Sequence, residues 1–250
     1  MKNLLSKIYL HPIFIITLFI FVLIGRFKFI LFFMLLILVH EFGHIIISLL
    51  FKWKIDKIII LPFGGLTKYN IKINTPLIEE FIVAISGVIF QFIFFKLIHD
   101  YIDYKYFTLI NYFIIIFNLI PIYPLDGAKI LNVFFNIITS FKNSLLLTVI
   151  VSYISIIALS ILLFNINKLV VVVLIFLFIQ VNKLYKEINF LFNKFLLERY
   201  LNEFIFKKIK IIKSINGMKR DFKHVLYEDG KYITEKQFLY QLFQKNIDNS

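Results

Sequence analysis

Val39-His40-Glu41-Phe42-Gly43-His44-Ile45-Ile46-Ile47 interrupts an otherwise apolar run, with FILFFMLLIL before it and SLLF after it. Three titratable side chains therefore sit inside a segment that reads as a membrane helix. An ionisable group at mid-bilayer costs about 2.5–3.5 kcal/mol on insertion scales, and such groups mark functional sites by default. On a helix, residues i and i+4 lie about 40° apart around the axis. His40 and His44 would therefore offer ring nitrogens to one point, with Glu41 beside them. Two histidines that hold Zn²⁺, next to a glutamate that takes a proton from water, form the arrangement of zinc hydrolases.

Composition supports a membrane setting. The chain has 250 residues, is 60% hydrophobic, has a mean hydropathy of +0.86 and contains 32 Phe but only 8 Gly. A soluble domain of this length cannot cover that much apolar surface. With no Cys, disulfides and thiolate metal sites are excluded. The formal charge is +13, but the basic residues lie between apolar runs and in the tail, which fits the positive-inside bias better than a nucleic-acid partner. The N-terminal run has a basic start and no small-residue cleavage site, so it reads as a retained first span.

Apolar runs place six spans at about 10–25, 29–51, 78–98, 106–122, 144–164 and 168–182, with 127–141 a further apolar stretch after a broken region. Six crossings put both termini on one side. With that side inside, the inner segments carry 23 Lys/Arg against 5 in the outer ones, so both termini are expected in the cytoplasm. Lys57–Ile73, KIIILPFGGLTKYNIKI, alternates about Gly64-Gly65 and reads as a short hairpin or re-entrant loop. The expected fold is thus an all-α polytopic membrane protein of six transmembrane helices, a small hairpin and a short cytoplasmic α/β tail. Its divisions are a membrane domain over 1–185, a linker over 186–200 and a small C-terminal region over 201–250, with turns at Gly217 and Gly230.

Catalytic zinc usually has three protein ligands plus water. The acids near apolar sequence are Glu41, Asp126, Glu79 and Glu80. Asp126 lies in FNLIPIYPLDGAKIL (117–131), where Pro121, Pro124 and Gly127 break a helix. Irregular backbone at membrane depth is tolerated only against protein or a wet cavity, so an acid at that break is placed to reach a metal. His11, His99 and His224 have no histidine at i+4 and read as ordinary edge, loop and tail residues, and Trp53 between Lys52 and Lys54 reads as an interfacial anchor.

These residues together carry a family resemblance. His40-Glu41-Phe42-Gly43-His44 on a second span, followed by Asn118 to Gly127, resembles the site-2 protease family of intramembrane zinc metalloproteases. Within that family it is most similar to the stage IV sporulation members that process a sigma-factor precursor. Supporting stretches run in order: HPIF (11–14), LPFGG (61–65), PLIEEF (76–81), AISGVIFQ (84–91), PIYPLDGAKIL (121–131) and FLLERY (195–200). The resemblance implies one Zn²⁺ per chain held by His40, His44 and Asp126, with Glu41 as general base. It implies that Gly64 and Gly65 help admit substrate and that Asn118 and Pro124 shape its binding.

The same resemblance implies a protein substrate, inhibitory membrane partners, the lipid bilayer as surroundings, and a bacterial cell membrane, including the mother-cell membrane around a forespore. Ser86-Gly87-Val88 and Asp126-Gly127-Ala128 depart from the family's usual A-G-P and D-G-G, and the tail is shorter than the nucleotide-sensing domain of sporulation relatives. Two other classes place polar groups at mid-membrane. A metal-ion transporter would need no glutamate beside the histidines, and a catalytically inactive scaffold would need no intact ligand set.

Overall fold

The computed structural model describes residues 6–10, 12–61, 64–102, 104–163, 168–206, 208–228 and 230–248. His11, Pro62 and Phe63, which belong to two of the stretches above, lie outside the described residues. The chain divides into two units, Met1–Ile71 with Ile82–Leu119, and Lys72–Phe81 with Ile120–Ser250.

The first unit opens with strand β1 (Ile8–Leu10) and helices α1 (Pro12–Leu23) and α2 (Phe27–Leu50). With 24 residues, α2 is about 36 Å long at 1.5 Å per residue, enough for a hydrocarbon core about 30 Å thick. It ends where Phe51, Lys52 and Trp53 bond back to the carbonyls of Ile47, Leu49 and Ser48 and turn the chain into β2 (Lys54–Leu61). β3 (Gly64–Asn70) returns antiparallel, pairing Ile58 with Thr67 and Ile60 with Gly65, and β1 lies parallel on the other side of β2. Branched residues dominate β2 because they suit a pleated, half-buried surface. Ile55 and Ile58 close a small core with Ile45 of α2 and Tyr69 of β3.

α3 (Leu77–Ile98) joins this unit from Ile82 onward, followed by α4 (Phe107–Leu119). A second core of Leu36, Ile37, Phe95, Phe107, Ile110 and Ile114 ties α2, α3 and α4 together. Trp53, expected at the membrane interface, is buried edge-on against Tyr69, ring centroids 5.3 Å apart. His99 pairs with Asp100 at 3.0 Å.

The second unit holds the first turn of α3, then α5 (Asp126–Ile138), α6 (Phe141–Leu162), α7 (Lys168–Leu201) and a tail of β4 (Ile209–Ile212), β5 (Lys223–Glu228), β6 (Lys231–Thr234) and α8 (Glu235–Asp248). β4 pairs parallel with β5, and β5 antiparallel with β6. The β5–β6 turn uses Gly230 at φ +80°, a conformation glycine reaches without a Cβ clash. Ser144, Thr148 and Ser152 repeat every fourth residue along a buried stripe of α6. Asn132 of α5 donates to Ser144 O and to Thr148 Oγ1 (2.8 Å). Polar side chains thus join two helices where apolar packing alone gives little preference in lipid.

The tail is fastened to the helix ends of its unit. Arg199 near the end of α7 donates to Glu235 Oε1 (3.0 Å), Lys219 O (2.8 Å), Phe222 O (2.8 Å) and Asn74 Oδ1 (2.7 Å). Arg220 pairs with Glu80 in the first turn of α3 at 2.7 Å. Phe141 N donates to Met218 O at 2.9 Å, and Lys219 Nζ donates to the carbonyls of Ile137 and Ile138.

The expected all-α fold with a hairpin and an α/β tail is, among the described residues, mainly helical with two three-stranded sheets; β1, of three residues, is too short to read by periodicity. Among the described residues, three helices are long and apolar enough to cross a membrane: Phe27–Leu50, Leu77–Tyr101 and Phe141–Leu162. α1, with 12 residues, and α4, with 13, reach only about 18–20 Å at 1.5 Å per residue. Residues 186–200, expected as a linker, lie within the 34-residue helix α7.

Candidate metal centre

α2 turns two faces to its neighbours. His40, Gly43 and His44 face α3, whereas Glu41 and Ile45 face the sheet. The approach to α3 is close: a Cβ on Gly43 would lie 2.6 Å from Ser86 O and 2.9 Å from Phe90 Cβ. His40 and His44 are both buried, their Nε2 atoms 3.2 Å apart and their rings edge-on at 80°. Each Nδ1 meets an acceptor: that of His44 donates to Val83 O at 2.7 Å, and that of His40 to Gln91 Oε1 at 3.0 Å. With both Nδ1 atoms protonated, the two Nε2 atoms carry lone pairs. Lone pairs that converge at that distance suit a shared cation.

α3 leaves room for one. Gly87 runs past the same two atoms, and a Cβ there would lie 2.4 Å from His44 Nε2 and 2.7 Å from His40 Nε2. Metal–imidazole bonds are about 2.0–2.1 Å, so the volume a Cβ would fill is the volume an ion needs.

On the other face, Glu41 Oε2 accepts a hydrogen bond from Thr67 Oγ1 of β3 at 3.0 Å. Gly65 lies two residues earlier, on the same face of the strand. A Cβ at Gly65 would stand 2.2 Å from Glu41 Cδ and 2.6 Å from its Oε1. The strand therefore presses directly on the carboxylate, and a side chain at this position would have to displace it.

Asp126 opens α5 and is buried. Before it, Pro121 to Leu125 run outside any helix, and the Tyr123 N–H freed by the break donates to Ser152 Oγ at 3.1 Å. The helix N-terminus favours the Asp126 carboxylate, and Lys129 Nζ lies 2.8 Å from its Oδ1. His40 and His44 of the first unit each offer a nitrogen, and Asp126 of the second unit an oxygen, as candidate ligand atoms. Two imidazoles and a carboxylate are a donor set suited to a divalent metal.

The profile of peptidase family M50 matches residues 28–99 and 103–163, more than half of the chain. The chain belongs to peptidase family M50. A curated relative, stage IV sporulation protein FB of Bacillus subtilis, is 32% identical over 210 residues, covering 79% of this chain and 73% of the relative. A zinc metalloprotease of Methanocaldococcus jannaschii is 33% identical over 105 residues, 38% of this chain and 31% of that protein. The solved site-2 protease from Methanocaldococcus jannaschii superposes with a TM-score of 0.57 at 22% identity, over 70% of this chain and 89% of that one. That likeness is one of fold.

Of the other candidate residues, Asn118 donates to Ile114 O of its own helix at 3.0 Å, and Pro124 sits in the break before α5. Glu80, weighed as a ligand, is engaged by Arg220. Thr67, Ser86, Gly87, Gln91 and Asn111 had no assigned role in the sequence reading. The only signal for them was polar or small residues within apolar runs.

Proposed function

We propose that this M50 chain is an intramembrane zinc endopeptidase that cuts a membrane-associated regulatory protein. The observation that carries this reading is the pair of buried histidines, both with Nδ1 engaged, flanked by a glutamate held on the opposite face by Thr67. His40, His44 and Asp126 would hold one Zn²⁺. Bound there, zinc would supply Lewis acidity toward a carbonyl and lower the pKa of a water. Glu41 accepts the proton of the attacking water at Oε1, while Thr67 keeps Oε2 occupied and the carboxylate oriented. The same carboxylate returns the proton to the leaving amine. Ile45, Ile55, Ile58 and Tyr69 exclude bulk water beside it.

The substrate must be extended to be cut. β3 lies at the edge of its sheet, with order β1-β2-β3, and such an edge offers backbone groups to an added strand. Gly64 and Gly65 would admit that strand, with Asn118 and Pro124 shaping the site. The resemblance read from the sequence points to a sigma-factor precursor as substrate and inhibitory membrane proteins as regulators in a bacterial membrane, and the excess of Lys/Arg in the inner segments favours both termini in the cytoplasm.

The test is metal analysis of detergent-purified variants beside co-expression with a sigma-factor precursor, with and without a chelator. Glu41→Gln should retain zinc and lose cleavage by at least about 10²–10⁴-fold. Asp126→Asn should lose zinc and activity together. Cleavage by Glu41→Gln at the parent rate would overturn the mechanism, and tight zinc in Asp126→Asn would remove Asp126 as a ligand.

A further inference from the structure

A histidine that must present Nε2 to a metal has to carry its proton on Nδ1, and something must enforce that choice. For His44 the enforcer is a backbone carbonyl, Val83 O, which can only accept. For His40 it is the side-chain amide of Gln91, which can present either an acceptor or a donor. If Gln91 turned over, its NH₂ would face His40 Nδ1. The ring would then prefer the Nε2–H form, which cannot bind a metal through Nε2.

The structure removes that freedom through Asn111. Gln91 and Asn111 are both 0% exposed. Gln91 Nε2 donates to Asn111 Oδ1 at 3.0 Å and to Asn111 O at 3.2 Å. Two acceptors on one side of the amide fix its NH₂ there and turn Oε1 toward His40. The chain of direction runs from the α4 backbone at Asn111, through Gln91 of α3, to His40 of α2. Three buried polar residues in an apolar helix packing are costly unless satisfied.

We propose that Gln91, oriented by Asn111, is a positioning residue that locks His40 in the tautomer able to bind metal. The inference rests on the reading of His40 as a ligand, but the lock is a property of the metal-free protein. Outer partners of ligating histidines are typically worth 10–100-fold in metal affinity.

The experiment uses the full chain in detergent, labelled with ¹⁵N-histidine. The readouts are the tautomer of His40 in the metal-free protein by ¹⁵N shifts and the Zn²⁺ affinity by chelator competition. Gln91→Met, close in volume and without an acceptor, should give a mixed His40 tautomer and about 10–100-fold weaker Zn²⁺ binding, with His44 unchanged. Gln91→Glu keeps an acceptor toward His40 and should retain the Nδ1–H form and the affinity. The Asn111 Nδ2, which has no hydrogen-bond partner among the described residues, can turn to meet the new carboxylate. Asn111→Leu removes one of the two acceptors and leaves the backbone carbonyl, so it should mix the tautomer less than Gln91→Met does, whereas Asn111→Asp should preserve it.

A pure Nδ1–H His40 with parental affinity in Gln91→Met would overturn the proposal. So would equal losses in Gln91→Met and Gln91→Glu, the pattern of mere packing. If the parent itself bound no Zn²⁺, the metalloprotease reading would fall, and the tautomer measurement would still decide the role of Gln91.

Discussion

At the scale of single residues, the centre depends as much on missing atoms as on present ones. Gly87→Ala places a methyl 2.4 and 2.7 Å from the two Nε2 atoms, inside the volume of an ion. We expect a folded protein with no measurable zinc, read by metal analysis after size exclusion. Thr67→Val removes the hydroxyl bonded to Glu41 while keeping shape. Hydrogen bonds to charged groups are worth about 1.5–3 kcal/mol, and 1.36 kcal/mol is tenfold in rate. The expected loss in kcat is about tenfold or more, with zinc content unchanged and recovery in Thr67→Ser. A drop in zinc rather than rate would assign Thr67 to the metal site instead.

At the scale of elements, the break before α5 illustrates what irregular backbone requires in a membrane. Pro121 and Pro124 have no N–H to give, and the freed Tyr123 N–H is met by Ser152 of α6. Ser152 also bonds Thr148 O at 2.7 Å. A buried donor left unpaired costs about 1–3 kcal/mol. Ser152→Ala should therefore lower thermal stability in detergent by that order and weaken metal binding through Asp126 as a secondary effect. Ser160→Ala, on the same helix with its hydroxyl bonded to Ile156 O, should be near neutral in the same scan.

At the scale of the whole molecule, the tail is an integral part of its unit. Arg199 is buried and its charge is met by Glu235. Removing one partner of a buried pair costs about 3–5 kcal/mol, because the other charge is stranded. Glu235→Gln should destabilise the protein on that order, measured by chemical unfolding of the solubilised chain.

Acid should loosen the same region. Burial, aided by the charge of Arg199, pushes the His224 imidazole below its usual value, against the hydrogen bond to Glu235. Burial alone would raise the Glu235 carboxyl, but His224 and Arg199 together outweigh it and hold it low. For His224, the unfolded chain binds a proton more readily than the folded one. Its contribution is whole above the ordinary value of 6.5 and is lost as pH falls through the lower folded value. The contribution of Glu235 is whole above 4.5 and is lost further into acid. Hydrogen exchange corrected for intrinsic rate should therefore show β4–β6 opening more often from about pH 6.5 downward, with the α2 core unchanged.

The His40–His44 pair, the acid at Asp126, the hairpin after α2 and the α/β tail were all legible in the sequence. Each is announced locally: by i,i+4 spacing, by prolines in an apolar run, by alternation about glycines, or by a return of charge. The sequence could not announce what bonds whom across elements. Gln91 turns its oxygen to His40 only because Asn111, 20 residues away, takes its NH₂. Thr67 meets Glu41 only because the hairpin folds back on α2, and His224 looked like an ordinary tail residue until Glu235 and Arg199 closed around it. Periodicity fixes which face of a helix or strand is apolar. Which polar atom completes another atom's hydrogen bonding is decided by packing between segments distant in the chain, and that determines the tautomers and charge states on which the chemistry depends.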